Sequence, residues 1–84
     1  MNNLKIENFY NKKFTFSGFR DNNLSNKLKN NFNIEYEDSI NENSNYLVIN
    51  DIDEPYYSAK RKLAYKYNIP IIEKHTLINI INNS

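Results

Sequence analysis

Tyr46-Leu47-Val48-Ile49 is a run of four consecutive β-forming residues with no polar alternation. A half-exposed strand alternates apolar with polar side chains, whereas an unbroken apolar run fits a strand covered on both faces. A sheet covered on both faces needs helices above and below it, and the sequence supplies them. From Asp21 onward, Leu24, Leu28 and Phe32 recur every fourth residue with Lys27, Lys29 and Asn30 facing away, which is the spacing of an amphipathic helix with Asp21 as its N-cap. Beyond Pro55, a residue suited to the start of a helix, Ala59, Leu63 and Tyr67 repeat at the same interval beside Ala64. Lys60, Arg61, Lys62 and Lys66 fill the other faces, and Asn68 closes the helix in the left-handed conformation. Leu77, Ile78, Ile80 and Ile81 form the stripe of a closing helix.

Three further strands fit between these helices. Lys13–Ser17 opens the series, Ile34 to Asp38 alternates with period two and suits a sheet edge, and Ile69-Pro70-Ile71-Ile72 is a short buried run with its proline near the start. Alternating strands and helices argue for an α/β fold: a small four-stranded parallel sheet flanked by three helices. The expected organisation is one domain over residues 13–84, preceded by a polar lead-in over residues 1–12 that is pinned by Phe9 and Tyr10. With 84 residues the chain can bury one modest core and has little room for a deep substrate cavity.

Composition narrows the function. The chain has no cysteine, which excludes disulfides and thiolate metal sites and is compatible with a reducing intracellular setting. Met1 to Lys5 lacks the apolar core of a signal peptide, and no apolar run reaches membrane-spanning length, so an intracellular, soluble domain without a membrane partner is expected. Eleven basic residues against ten acidic ones give a net charge of +1, too little for broad electrostatic wrapping of nucleic acid, so any such contact must be local.

The segment with the most chemistry in it is Phe14-Thr15-Phe16-Ser17-Gly18-Phe19-Arg20-Asp21. A strand ends there at Ser17 and the only glycine of the chain, and a helix follows at once. A hydroxyl, free backbone N–H groups and a helix N-terminus can converge in such a turn, a combination that suits an anion such as phosphate. Other candidates are poorer. His75 has no cysteine and no partner acid legible in sequence, and reads as a surface or capping residue. Asp51, Asp53 and Glu54 lack a complete cation-loop signature. Tyr56 and Tyr57 are placed to pack at the start of a helix or to stack on a base or a peptide, and Lys60-Arg61-Lys62 with Lys66 reads as a solvated helix face or a phosphate-contacting one. No nucleophile–base pair and no paired acids stand out, which argues against a small enzyme and its substrate or cofactor.

In their order and spacing these segments resemble a BRCT domain, especially the single module of NAD-dependent DNA ligases and of the replication factor C large subunit. The likeness covers about Lys13 to Ile81. It is carried by Phe14 to Asp21 for the first strand and its Ser-Gly turn, Asn45-Tyr46-Leu47-Val48 for the third strand, Ser58-Ala59-Lys60 with Ala64 for the second helix, and Ile69-Pro70-Ile71-Ile72 with Leu77 for the last strand and helix. Three features depart from the pattern. Asn33-Ile34 stands where the family usually has a Gly-Gly pair, the tryptophan of the last helix is absent, and Glu42-Asn43-Ser44 replaces the paired lysines common in ligase-type members.

The resemblance implies sheet order 2-1-3-4 and a non-catalytic binding module of a DNA replication or repair protein, the C-terminal domain of an NAD-dependent DNA ligase first among them. By position it implies a phosphate pocket of Ser17, the Gly18 N–H and Lys60, with Arg20 reaching a further oxygen. Tyr57, Arg61 and Lys62 are then candidate contacts to DNA or a peptide. The partner is DNA, including 5′-phosphorylated ends, or a protein; the alternative is a phosphopeptide-binding module of DNA-damage signalling.

Overall fold

The computed structural model describes residues 5–50 and 59–83. After a 3₁₀ turn at Ile6–Asn8 come strand β1 (Lys13–Ser17), helix α1 (Asn22–Phe32), strands β2 (Glu35–Tyr36) and β3 (Tyr46–Ile49), helix α2 (Ala59–Lys66), strand β4 (Ile71–Glu73) and helix α3 (Lys74–Asn82). The four strands form one sheet in the order β2-β1-β3-β4, and every neighbouring pair is parallel. The fold is therefore α/β, with β1 and β3 in the centre and three helices around the sheet. None of the described helices is long and apolar enough to cross a membrane.

Side-chain alternation along the strands divides the core in two. Phe14, Phe16, Val48 and Ile72 pack with Leu24 and Leu28 of α1 and Leu77 and Ile81 of α3, while Leu47 and Ile49 pack with Ala64 of α2, Ile40 and Ile69. Both central strands are buried on both faces, as the unbroken run at Tyr46–Ile49 requires. At about 1.5–3 kcal/mol for each fully buried large apolar side chain, the larger cluster is the main stabilising unit.

The lead-in contributes to that cluster. Phe9 is fully buried and meets Phe14 and Tyr46 edge-on at 5.3 and 5.1 Å, whereas Tyr10 stays exposed and stacks on Phe32. Asp21 caps α1 as expected by accepting the Leu24 N–H at 2.9 Å. At the other end Asn33 takes the left-handed conformation (φ 54°, ψ 36°) in place of a glycine, and Asn68 does the same after α2 with φ 56°.

Three expectations need correction. β2 covers only Glu35–Tyr36, because the Ile34 N–H is taken by the Leu28 carbonyl in the helix cap and the Ile34 side chain turns into the core. The inward face of α2 holds Ala64, Leu63 and Tyr67 as expected but is shifted at its start, where Arg61 is buried and Ala59 is exposed. The expected strand at Ile69–Ile72 begins instead at Ile71, with the Pro70 carbonyl accepting the Leu47 N–H just before it. Pro55 lies outside the described residues.

Candidate functional site

β1 is followed by a helix on one face of the sheet and β3 by a helix on the other, which makes the carboxyl ends of these adjacent strands a topological switch point. In open α/β sheets such a switch point is where ligands bind. Here it is the end of β1, Ser17 and Gly18, that stands beside Ile49 at the end of β3.

The turn is held from several sides. Gly18 has φ 82°, in the half of the map that a side chain disfavours, and it is exposed. Phe19 stacks on Phe16 with ring centroids 4.7 Å apart, and the Lys74 ammonium lies 4.8 Å from the Phe19 ring. Lys74 also pairs with Asp21 at 3.3 Å. The Leu24 N–H, and after it Lys74, hold the Asp21 carboxyl below its usual value against the opposing effect of burial. The chain between the strand and the helix is thus pinned at Phe19 and Asp21, and Gly18 is presented at a fixed place.

Lys60 completes the arrangement. From the first turn of α2 its Nζ donates to the Phe16 carbonyl at 2.8 Å, across 44 residues of sequence. The carbonyl is neutral, so this bond orients the ammonium without neutralising it. Ser17 alternates onto the same face of the sheet as α2 and is 8% exposed. The structure therefore brings Ser17, Gly18 and Lys60 to one place, and chemically they offer a hydroxyl, a backbone N–H and a cation to an anion.

The other candidates are distributed differently. Arg20 is exposed and lies near enough to Tyr36 to oppose the rise in that phenol's pKa, which burial and then Asp38 cause. It therefore stands toward β2. The basic run splits: Arg61 is 7% exposed and turned inward, while Lys62 and Lys66 are exposed. Tyr56, Tyr57, Asp51, Asp53 and Glu54 lie outside the described residues. His75 is exposed with Nδ1 3.5 Å from Glu73 Oε2, a nearby acid that the sequence reading overlooked. Among the described residues no group of three or more His, Asp or Glu side chains could hold a metal ion.

Glu42-Asn43-Ser44 is tied locally, since the Ser44 hydroxyl accepts the Asn41 N–H and the Asn41 side chain accepts the Asn43 N–H. Lys74 is the residue sequence reasoning missed, and its signal was a lone lysine at the junction of the last strand and helix. A groove of about 880 Å³ along α3, lined by Ile6, Tyr10, Phe32 and Ile80 among others, shares no residue with the turn. No protein-family model matches the chain, and no curated protein matches it either.

Proposed function

We propose that this chain is a non-catalytic binding module of the BRCT kind that serves a DNA replication or repair protein such as an NAD-dependent DNA ligase. In this reading it contacts DNA at a 5′-phosphorylated end. The observation that carries the reading is the Lys60 ammonium docked on the Phe16 carbonyl, beside the Ser17-Gly18 turn at the switch point of the sheet. A terminal phosphate there would accept from the Ser17 hydroxyl, the Gly18 N–H and the Lys60 ammonium, and the near-neutral chain suits a local grip better than a long electrostatic track. Fold likeness alone does not carry function, so the weight rests on this convergence.

Lys60→Ala and Ser17→Ala should each weaken binding to 5′-phosphorylated duplex DNA about tenfold, the loss of one charge-assisted hydrogen bond or slightly less. Fluorescence anisotropy at low salt measures this, with circular dichroism to verify the fold. Equal affinity for 5′-hydroxyl DNA would refute end recognition.

A further inference from the structure

Residues 18–21, between the last residue of β1 and the first of α1, lie outside any strand or helix. Gly18 opens them at φ 82°. Without a Cβ, a glycine adopts either half of the φ map about as readily, so its own chemistry does not keep its N–H aimed one way. That direction is set by whatever holds the residues after it. Phe19 stacks on Phe16 with ring centroids 4.7 Å apart, and Asp21 accepts the Leu24 N–H at 2.9 Å.

One side chain touches both of these anchors. The Lys74 ammonium lies 4.8 Å from the Phe19 ring centroid and 3.3 Å from Asp21 Oδ2. Strand register explains how a residue so distant in sequence arrives there. Ser17 pairs with Ile49 and Ile49 with Glu73, so the ends of β1, β3 and β4 stand in one row, and Gly18 and Lys74 are the residues that follow it. The same geometry argues against a direct contact between Lys74 and an anion in the turn. The Asp21 carboxylate lies against the ammonium and would repel a phosphate drawn to it. Phe19 packs on the cluster that α1 and α3 cover, whereas Ser17 and Lys60 meet on the α2 face of the sheet.

Resting on the reading of the Ser17-Gly18-Lys60 turn as the seat of a terminal phosphate, we propose that Lys74 is the positioning residue of that site. By holding Phe19 and Asp21 together it keeps the Gly18 N–H aimed at the phosphate, and it does so without touching the phosphate. A turn fixed before binding loses no conformational freedom when the ligand arrives, so the clasp raises affinity for the end.

Amide NMR relaxation on the full chain tests this, because Gly18 is the only glycine and gives a single glycine resonance. Binding of a blunt 5′-phosphorylated duplex is followed in parallel by fluorescence anisotropy. In the wild type the Gly18 order parameter should be about 0.85, and Lys74→Met should bring it below about 0.6 and weaken binding about fivefold. The slope of log affinity against log salt should stay unchanged in that variant, since no phosphate contact is lost, whereas Lys60→Ala should flatten it by about 0.9. Lys74→Arg, which keeps a cation at the Phe19 ring and beside Asp21, should retain both order and affinity. A Lys74→Met chain whose Gly18 amide is as ordered as in the wild type, or that binds the duplex equally well, overturns the proposal. So does a flattened salt slope, which would make Lys74 a phosphate contact. Absence of wild-type binding at low salt refutes the end-binding reading instead, and the order parameter then still decides whether Lys74 holds the turn.

Discussion

Asp21 joins the anion-accepting turn to the fold, and replacing it tests how rigidly that turn is held. Its Oδ1 accepts the Leu24 N–H at 2.9 Å, and its Oδ2 lies 3.3 Å from Lys74 Nζ. Asp21→Ala removes both. Loss of an N-cap costs about 1 kcal/mol. The ion pair, whose side chains are 28% and 29% exposed, adds at most about 0.5 kcal/mol after solvent screening. In a domain of this size each kcal/mol moves Tm by about 4–8 °C, so Asp21→Ala should melt about 6–12 °C below wild type at pH 7. Asp21→Asn keeps a capping oxygen and loses only the charge; it and Lys74→Met should each fall by about 2–4 °C.

The pH dependence separates these contributions. Because the folded-state pKa of Asp21 is depressed, its charge adds stability that is complete above the unfolded-state value near 4 and disappears as pH falls through the lower folded value. Thermal melts followed by circular dichroism should therefore show the gap between wild type and Asp21→Asn at pH 7 and its closure in acid. A gap of unchanged size below the folded pKa, or an Asp21→Ala chain as stable as wild type at neutral pH, would refute the account.

Phe9→Ala should cost about 3–5 kcal/mol, the range for emptying a buried aromatic site, and removal of residues 1–12 should cost at least as much. Urea titration checks both, and a change under 1 kcal/mol would mean that Phe9 is not part of the core. Thr15→Val should leave stability unchanged or raise it by up to about 1 kcal/mol, because the Thr15 hydroxyl is buried without a hydrogen-bond partner. A clear loss in the same titration would reveal a bond to that hydroxyl.

Much of this architecture is legible in local sequence. The run Tyr46–Ile49 demands cover on both faces, the Leu24–Leu28–Phe32 spacing gives α1, Asp21 caps it, and Asn33 and Asn68 take the left-handed turns. Ser17-Gly18 marks the end of β1 for the same reason: only glycine adopts φ 82° without strain. All of these depend on the chemistry of residues within a few positions of one another.

What local pattern cannot fix is how an element is rotated and what it meets. One residue turns a helix by about 100°, so a small change in where α2 begins decides whether Arg61 or Ala59 faces the sheet. Here Arg61 is the buried one. Ile34 reads as strand from its alternation, yet a hydrogen bond to Leu28 claims it for the helix cap. Phe9 looks peripheral until Phe14 and Tyr46 are placed around it.

The sequence by itself determined the kinds of element, their order and the turn that could cradle an anion, because periodicity, capping and backbone freedom act over a few residues. Only the tertiary structure decided that Lys60 reaches the Phe16 carbonyl, that Lys74 clasps Asp21 and Phe19, and that Arg20 stands apart toward Tyr36. Those contacts join residues far apart in the chain. They exist only once strand register and helix rotation are set by burying the two faces of one sheet.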